Sequence, residues 1–250
     1  MTPLLGGGAA VLLQVAHPLV ACGVVAHSGY ERDLWRRLVG TLRALYLITF
    51  GDKAEADRAA AVVRQVHASV HGTTIDQLGR FPAGTSYSAS DAELMLWVHA
   101  TLVYSSLAAY QQFVQPLSDP ELEQYHAEMS TVAELLGTPA HVLPGSYGEF
   151  SEYVRAQFAS DTITVTPPAR DVASVILATP LPTPLRVLAP AHRLATTRIL
   201  PPRLRREYNL NWTPLHQLAL PLAGHTIRFG AIPAVAIAAH IRPPTRPLAA

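Results

Sequence analysis

Imidazole and guanidinium side chains carry most of the chemistry this sequence offers. Eleven histidines stand against one cysteine, Cys22. That count excludes internal disulfides and cysteine-based metal sites and leaves metal chemistry to imidazole. His99 lies in an apolar run beside Trp97. A buried histidine must satisfy both ring nitrogens, so His99 is either a core residue bonded to backbone carbonyls or a ligand to a metal or haem iron. His67 and His71 are four residues apart, with Arg64 one turn earlier. On a helix the two imidazoles share a face, as zinc ligands do in the zinc-protease motif. The glutamate that acts there as base is replaced here by Ala68, which disfavours that chemistry. Glu123 and His126 have the Glu-x-x-His spacing of di-iron carboxylate bundles. Such a site needs the motif twice, and here it occurs once, on a helix that reads as charged and exposed. The third option is haem, held between His99 and His67, with Arg64 set to pair with a propionate. His17, in a stretch without any charge, is either a core residue or part of a pocket wall.

Helices must position these groups. Asp91 to Gln115 reads as the central one: Ser90 and Glu93 form a capping box, and no Pro or Gly interrupts the run as far as Gln115. It is apolar on most of its circumference, which places it inside a larger body. Ala9 to His27 reads as a second buried helix, kinked at Pro18, after a flexible entry at Gly6-Gly7-Gly8. Leu34 to Phe50 is amphipathic. Gly51 ends it, and Asp52 caps the helix from Lys53 to His71 that carries Arg64 and His67. Gly72 to Ala89 is a loop, long enough to be a lid or pocket wall, with Phe81 and Tyr87 in it. Capping boxes at Ser118–Glu121 and Ser146–Glu149 open helices to about Leu136 and about Ala159. Asp161 to Thr166 reads as extended and Pro168 to Ala178 as helical. The last apolar helical region runs from Leu215 to His240, interrupted at Pro221 and Pro233. With no repeat and no alternation of strands, the expected fold is all-α, a single domain over residues 1–250.

Composition narrows the partners. Apolar residues make up 49% and charged residues 15%, a greasy balance that suits an apolar small-molecule substrate or membrane contact. A net charge of +1 without a dominant basic block argues against nucleic acid. Met1 to Tyr30 contains no charged residue, but a signal peptide would need a basic start, and a membrane span would have to bury Gln14, His17 and Pro18. A buried helix and a cytoplasmic location are expected. Arg193, Arg198, Arg203, Arg205 and Arg206, interleaved with Ile199, Leu200, Leu204 and Trp212, form either a solvated helix face or a contact for anionic lipid headgroups.

Several blocks resemble a known family. LLQVAHPLVACGVVAHS, then LWRRLVGTLRALYLITFGDKAEADRAAAVVRQVHASVHG, then DAELMLWVHATLVYSSLAAYQQFVQPLS, and later LPTPLRVLAP and LPPRLRREYNLNWTP, are similar to the oxygenase MpaB / rubber oxygenase (latex clearing protein) family. The resemblance covers about Gly6 to about Pro214. It implies a helical, globin-like fold enclosing one b-type haem, with His99 at the position of the proximal iron ligand. The family's distal Arg-x-x-Lys-Thr pattern reads here Arg64-Gln65-Val66-His67-Ala68, so His67 replaces the lysine. No acid stands near Ile48, where the family's distal glutamate is expected; Asp52 is the nearest. These departures point away from rubber and toward a small isoprenoid or other apolar, unsaturated substrate, oxidised with dioxygen or a peroxide. The chain starts closer to the Ala-His-Pro block than the family pattern suggests, so a preceding segment is expected. Two other readings stay open at this level. One is a non-enzymatic haem protein with both axial positions closed by histidine; the other is a helical binder of apolar ligands without haem.

Overall fold

The computed structural model describes residues 2–27, 34–178 and 189–226. Its centre is helix α5 (Ala92–Phe113), which buries Leu96, Trp97, His99, Ala100, Val103 and Leu107. Asp91, not Ser90, caps it: the carboxylate accepts from the backbone N–H groups of Glu93 and Leu94 at 3.0 and 3.1 Å. Aspartate and serine are near-equal caps, and the chain uses the one that meets two orphan donors.

Helix α1 (Thr2–Val15) lies along α5. Gly6 to Gly8 belong to it rather than forming a flexible entry. A Cβ on Gly6 would stand 2.5 Å from the Ser105 carbonyl oxygen of α5, and one on Gly8 would stand 2.5 Å from Thr196 Oγ1 of α9 (Ala189–Ile199). The glycines are therefore where α1 is squeezed between two helices, and that packing outweighs their poor helix propensity.

Pro18 does more than kink the next stretch. α1 ends at Val15, and α2 (Pro18–His27) sets off at 104° to it. Carbonyls around the break find partners from other elements, as helix ends require. Ala16 O accepts from Thr164 N at 2.8 Å; Gln14 O and Leu12 O, which also accept from His17 N and Ala16 N, take second bonds from Trp97 Nε1 at 3.3 Å and Tyr208 Oη at 2.6 Å. No single described helix is long and apolar enough to cross a membrane; α1 from Gly6 and α2 reach that composition only as a bent pair.

Around this centre the remaining helices form two flanks. α8 (Pro167–Ala178) and α10 (Pro202–Glu207) close a core around Leu12, Leu13, Trp97, Ile163, Val172 and Leu204, while α9 packs Ala191, Ala195 and Ile199 against Ala9, Ala109 and Phe113. α6 (Asp119–Leu135) and α7 (Tyr147–Ala159) pack Leu122, Phe150 and Val154 against Ala100, Val103 and Leu107 of α5. α11 (Pro214–Thr226) is helical through Pro221, and the expected continuation beyond it lies outside the described residues. α3 (Leu34–Phe50) and α4 (Lys53–Ala68) form a hairpin joined at Gly51 and Asp52, whose carboxylate accepts from Glu55 N at 2.8 Å.

α4 stops at Ala68, so His71 is not on it. His71 begins strand β1 (His71–Thr73), which pairs antiparallel with β2 (Ser86–Ser88). The strands pair the two ends of the expected Gly72 to Ala89 loop, and residues 74–85 between them remain a loop. The described residues are otherwise all-α, as the helical periodicity required.

Candidate functional site

His99 sits two turns into α5 and is 8% exposed. Neither ring nitrogen has a hydrogen-bonding partner among the described residues. Burial, and then the neighbouring imidazole of His126, push its pKa down to about 4, so at neutral pH it is an uncharged ring with lone pairs to give.

Sequence reasoning misses the burial of His126. Its helix reads as exposed, yet His126 is 5% exposed, its ring 5.6 Å from that of Phe150. The signal is in the sequence: Leu122, His126, Met129 and Ala133 recur at helical spacing and make the inner stripe of α6. Burial keeps His126 below its ordinary pKa, against the pull of Glu123 and Glu149. Glu123 turns instead to the N-terminus of α7, where it accepts from Tyr147 N at 3.0 Å. Glu123 and His126 therefore do not share a ligand-binding face.

Arg64 reaches this junction from α4. Its guanidinium donates to the Leu135 carbonyl at the end of α6. Just beyond is Gly137, at φ 101°, the left-handed residue that ends a helix. A Cβ there would stand 3.3 Å from Arg64 Cδ and 3.6 Å from Met95 Cε. Met95 lies one turn before His99 on the same face of α5. Arg64 thus approaches α5 at Met95, one turn before His99 in the helix.

His67 follows Arg64 by one turn on α4. It is half-buried, and its Nδ1 is enclosed without a hydrogen-bonding partner. Burial lowers its pKa. No hydrogen bond or ring contact joins His67 to His99 among the described residues.

His17 lies elsewhere, at the α1–α2 break. Its Nδ1 accepts from Leu19 N at 3.3 Å, and its ring is 5.4 Å from that of Phe81. Burial lowers its pKa to about 4, opposed by the charge of Asp91. It belongs to a wall made with Phe81 of the β1–β2 segment and Asp91 at the start of α5.

Two cavities stand out among the described residues, and neither is lined by these histidines. One, of about 260 Å³, lies between α5 and α6 at Ser106, Tyr110 and Tyr125. The other, of about 330 Å³, lies at Arg170, Arg193 and Tyr208. No three His, Cys, Asp or Glu side chains converge among the described residues, so neither the zinc nor the di-iron arrangement finds a third ligand there. The α4–α5–α6 junction instead fits a group needing one protein ligand. It offers a buried neutral imidazole without a hydrogen-bonding partner among the described residues, and an arginine that approaches α5 at Met95. The arginine's helix adds a second unpartnered imidazole nitrogen.

The fold defines an all-α protein. It belongs to the family described as ER-bound oxygenase mpaB/B'/rubber oxygenase, catalytic domain, whose family model matches residues 1–229. The chain is accordingly an enzyme of the oxygenase class. No curated protein and no solved structure matches it.

Proposed function

We propose that this chain is a haem-b-dependent oxygenase acting on an apolar, isoprenoid-like substrate, with His99 as the iron ligand. The observation that carries the reading is His99 itself. It is buried in the central helix, uncharged and without a hydrogen-bonding partner among the described residues, and Arg64 approaches the same helix at Met95. A neutral imidazole that spends no hydrogen bond on its neighbours keeps its lone pair for a ligand. Haem b, when bound, would supply the iron that activates dioxygen or a peroxide toward a carbon–carbon double bond.

The chain's own groups have separable tasks. His99 stays neutral through the physiological range, so its lone pair is not lost to a proton. Arg64 spends one N–H on Leu135 and keeps others for a carboxylate, such as a propionate. His67, kept neutral by burial, can take up or release a proton near that carboxylate edge. The apolar balance of the chain, 49% apolar residues against 15% charged, suits an apolar substrate better than a sugar or nucleotide.

Oxygen uptake by the purified protein, with a C15 isoprenoid alcohol and a reductant, tests the reading. Uptake that requires the isoprenoid and disappears in His99→Ala supports it. Uptake unchanged in His99→Ala, or elicited equally by sugars, defeats it.

A further inference from the structure

The net charge of +1 conceals an asymmetry. From Val172 to Ala250 the sequence has nine arginines and no lysine against a single acid, Glu207, a charge of +8. The first 171 residues, with 10 basic and 17 acidic side chains, carry −7. Glu207 is already engaged: it accepts from Val165 N at 2.8 Å and lies 3.6 Å from Arg203, which itself donates to Ile163 O at 2.7 Å. Arg198, Arg205 and Arg206 have no acid to pair with among the described residues. Nε of Arg198 is buried without a partner. Partial burial, and then the neighbouring Arg198, push the Arg205 guanidinium below its usual range, with Arg206 adding to the effect. Like charges held together in this way need a counter-charge from outside.

The cluster continues into an apolar face. The Arg205 guanidinium lies over the Trp212 ring, 5.3 Å from its centroid, and Trp212 stacks on His216 in the first turn of α11. One side of α11 faces inward: Leu220 is buried, and a Cβ on Gly224 would lie 3.5 Å from Phe113. The opposite side presents Leu215, Leu218 and Leu222, which are 76%, 77% and 72% exposed. Three leucines at i, i+3 and i+7 form one stripe.

We infer that this face docks on an anionic lipid bilayer. Guanidiniums meet phosphates, and the leucine stripe enters the acyl boundary. The stripe decides for a bilayer over a nucleic acid, because a phosphate backbone has no use for outward leucines.

The test is co-sedimentation of the full chain with phosphatidylcholine vesicles, with and without phosphatidylserine. Partitioning should require phosphatidylserine and weaken with salt. The double variant Arg205→Gln/Arg206→Gln should lower it on the order of 25-fold, roughly fivefold per arginine. Arg205→Lys/Arg206→Lys, which keeps the charge, should retain most of it. Leu215→Ser/Leu218→Ser should also lower it, with an unchanged circular dichroism spectrum. Equal partitioning onto neutral vesicles, or no effect of either the glutamine or the serine pair, would overturn the inference. So would an absence of vesicle binding in a protein that binds a random RNA oligonucleotide equally well with and without the two leucines.

Discussion

Arg64 and Gly137 share one small space. The aliphatic part of Arg64 lies where a Cβ on Gly137 would have to point, 3.3 Å away at Cδ, with Met95 on the other side at 3.6 Å. The glycine ends α6 and at the same time gives the arginine its route to α5.

Gly137→Ala should therefore do two separable things. The positive φ of 101° is strained for alanine, costing about 1–2 kcal/mol, or a melting temperature lower by roughly 2–5 °C for a chain of this size. The added methyl should also move Arg64. Isoprenoid-dependent oxygen uptake should fall by more than the loss of folded protein explains. A thermal melt alongside an activity assay at a temperature where both proteins are folded checks this; equal specific activity would show that the position of Arg64 does not matter.

His67→Ala should spare cofactor retention and change reactivity. Its Nδ1 has no protein partner and it follows Arg64 by one turn, a place suited to a proton and not to holding the core. Haem content should stay near that of the native protein while the ferric spectrum moves toward high spin or water ligation. Loss of haem as complete as in His99→Ala would mean that the two histidines have exchanged roles.

His17 makes a prediction about pH. Folding lowers its pKa from 6.5 to about 4, so below 6.5 the unfolded chain binds a proton that the folded chain refuses. Its contribution to stability is present above that value and is lost as pH falls toward 4. Between about pH 7 and about pH 5 the loss amounts to about 2 kcal/mol. Protonation would also end the bond that Nδ1 accepts from Leu19 N. Denaturant unfolding of native protein and His17→Asn at the two pH values should show a smaller pH dependence in the variant; identical dependences would remove His17 as the source.

Features that rest on local pattern are legible in the sequence. The helical class, the central helix, and the caps at Asp52 and Ser118 follow from periodicity and side-chain chemistry within a few residues. Features that depend on distant partners are not. Gly6 to Gly8 look like a flexible entry until Ser105 is seen pressing on Gly6 and Thr196 on Gly8. His71 continues a helical spacing but pairs with Ser88 instead, because strand formation is decided by the partner. At the site, the burial of His99 is readable from its apolar neighbours. The approach of Arg64 is not, since it runs through Leu135 and Gly137, some 70 residues on. His126 is legible in its stripe but is outweighed by the charges on the rest of α6.

The most direct test of His99 as the iron ligand is the absorption spectrum of native protein and His99→Ala, each purified in parallel with excess haem offered. Native protein should show a Soret band that responds to carbon monoxide after reduction. In His99→Ala that band should be lost, and added imidazole should restore it. A His99→Ala protein with full haem content and an unchanged spectrum would contradict the assignment, as would a folded native protein that takes up no haem.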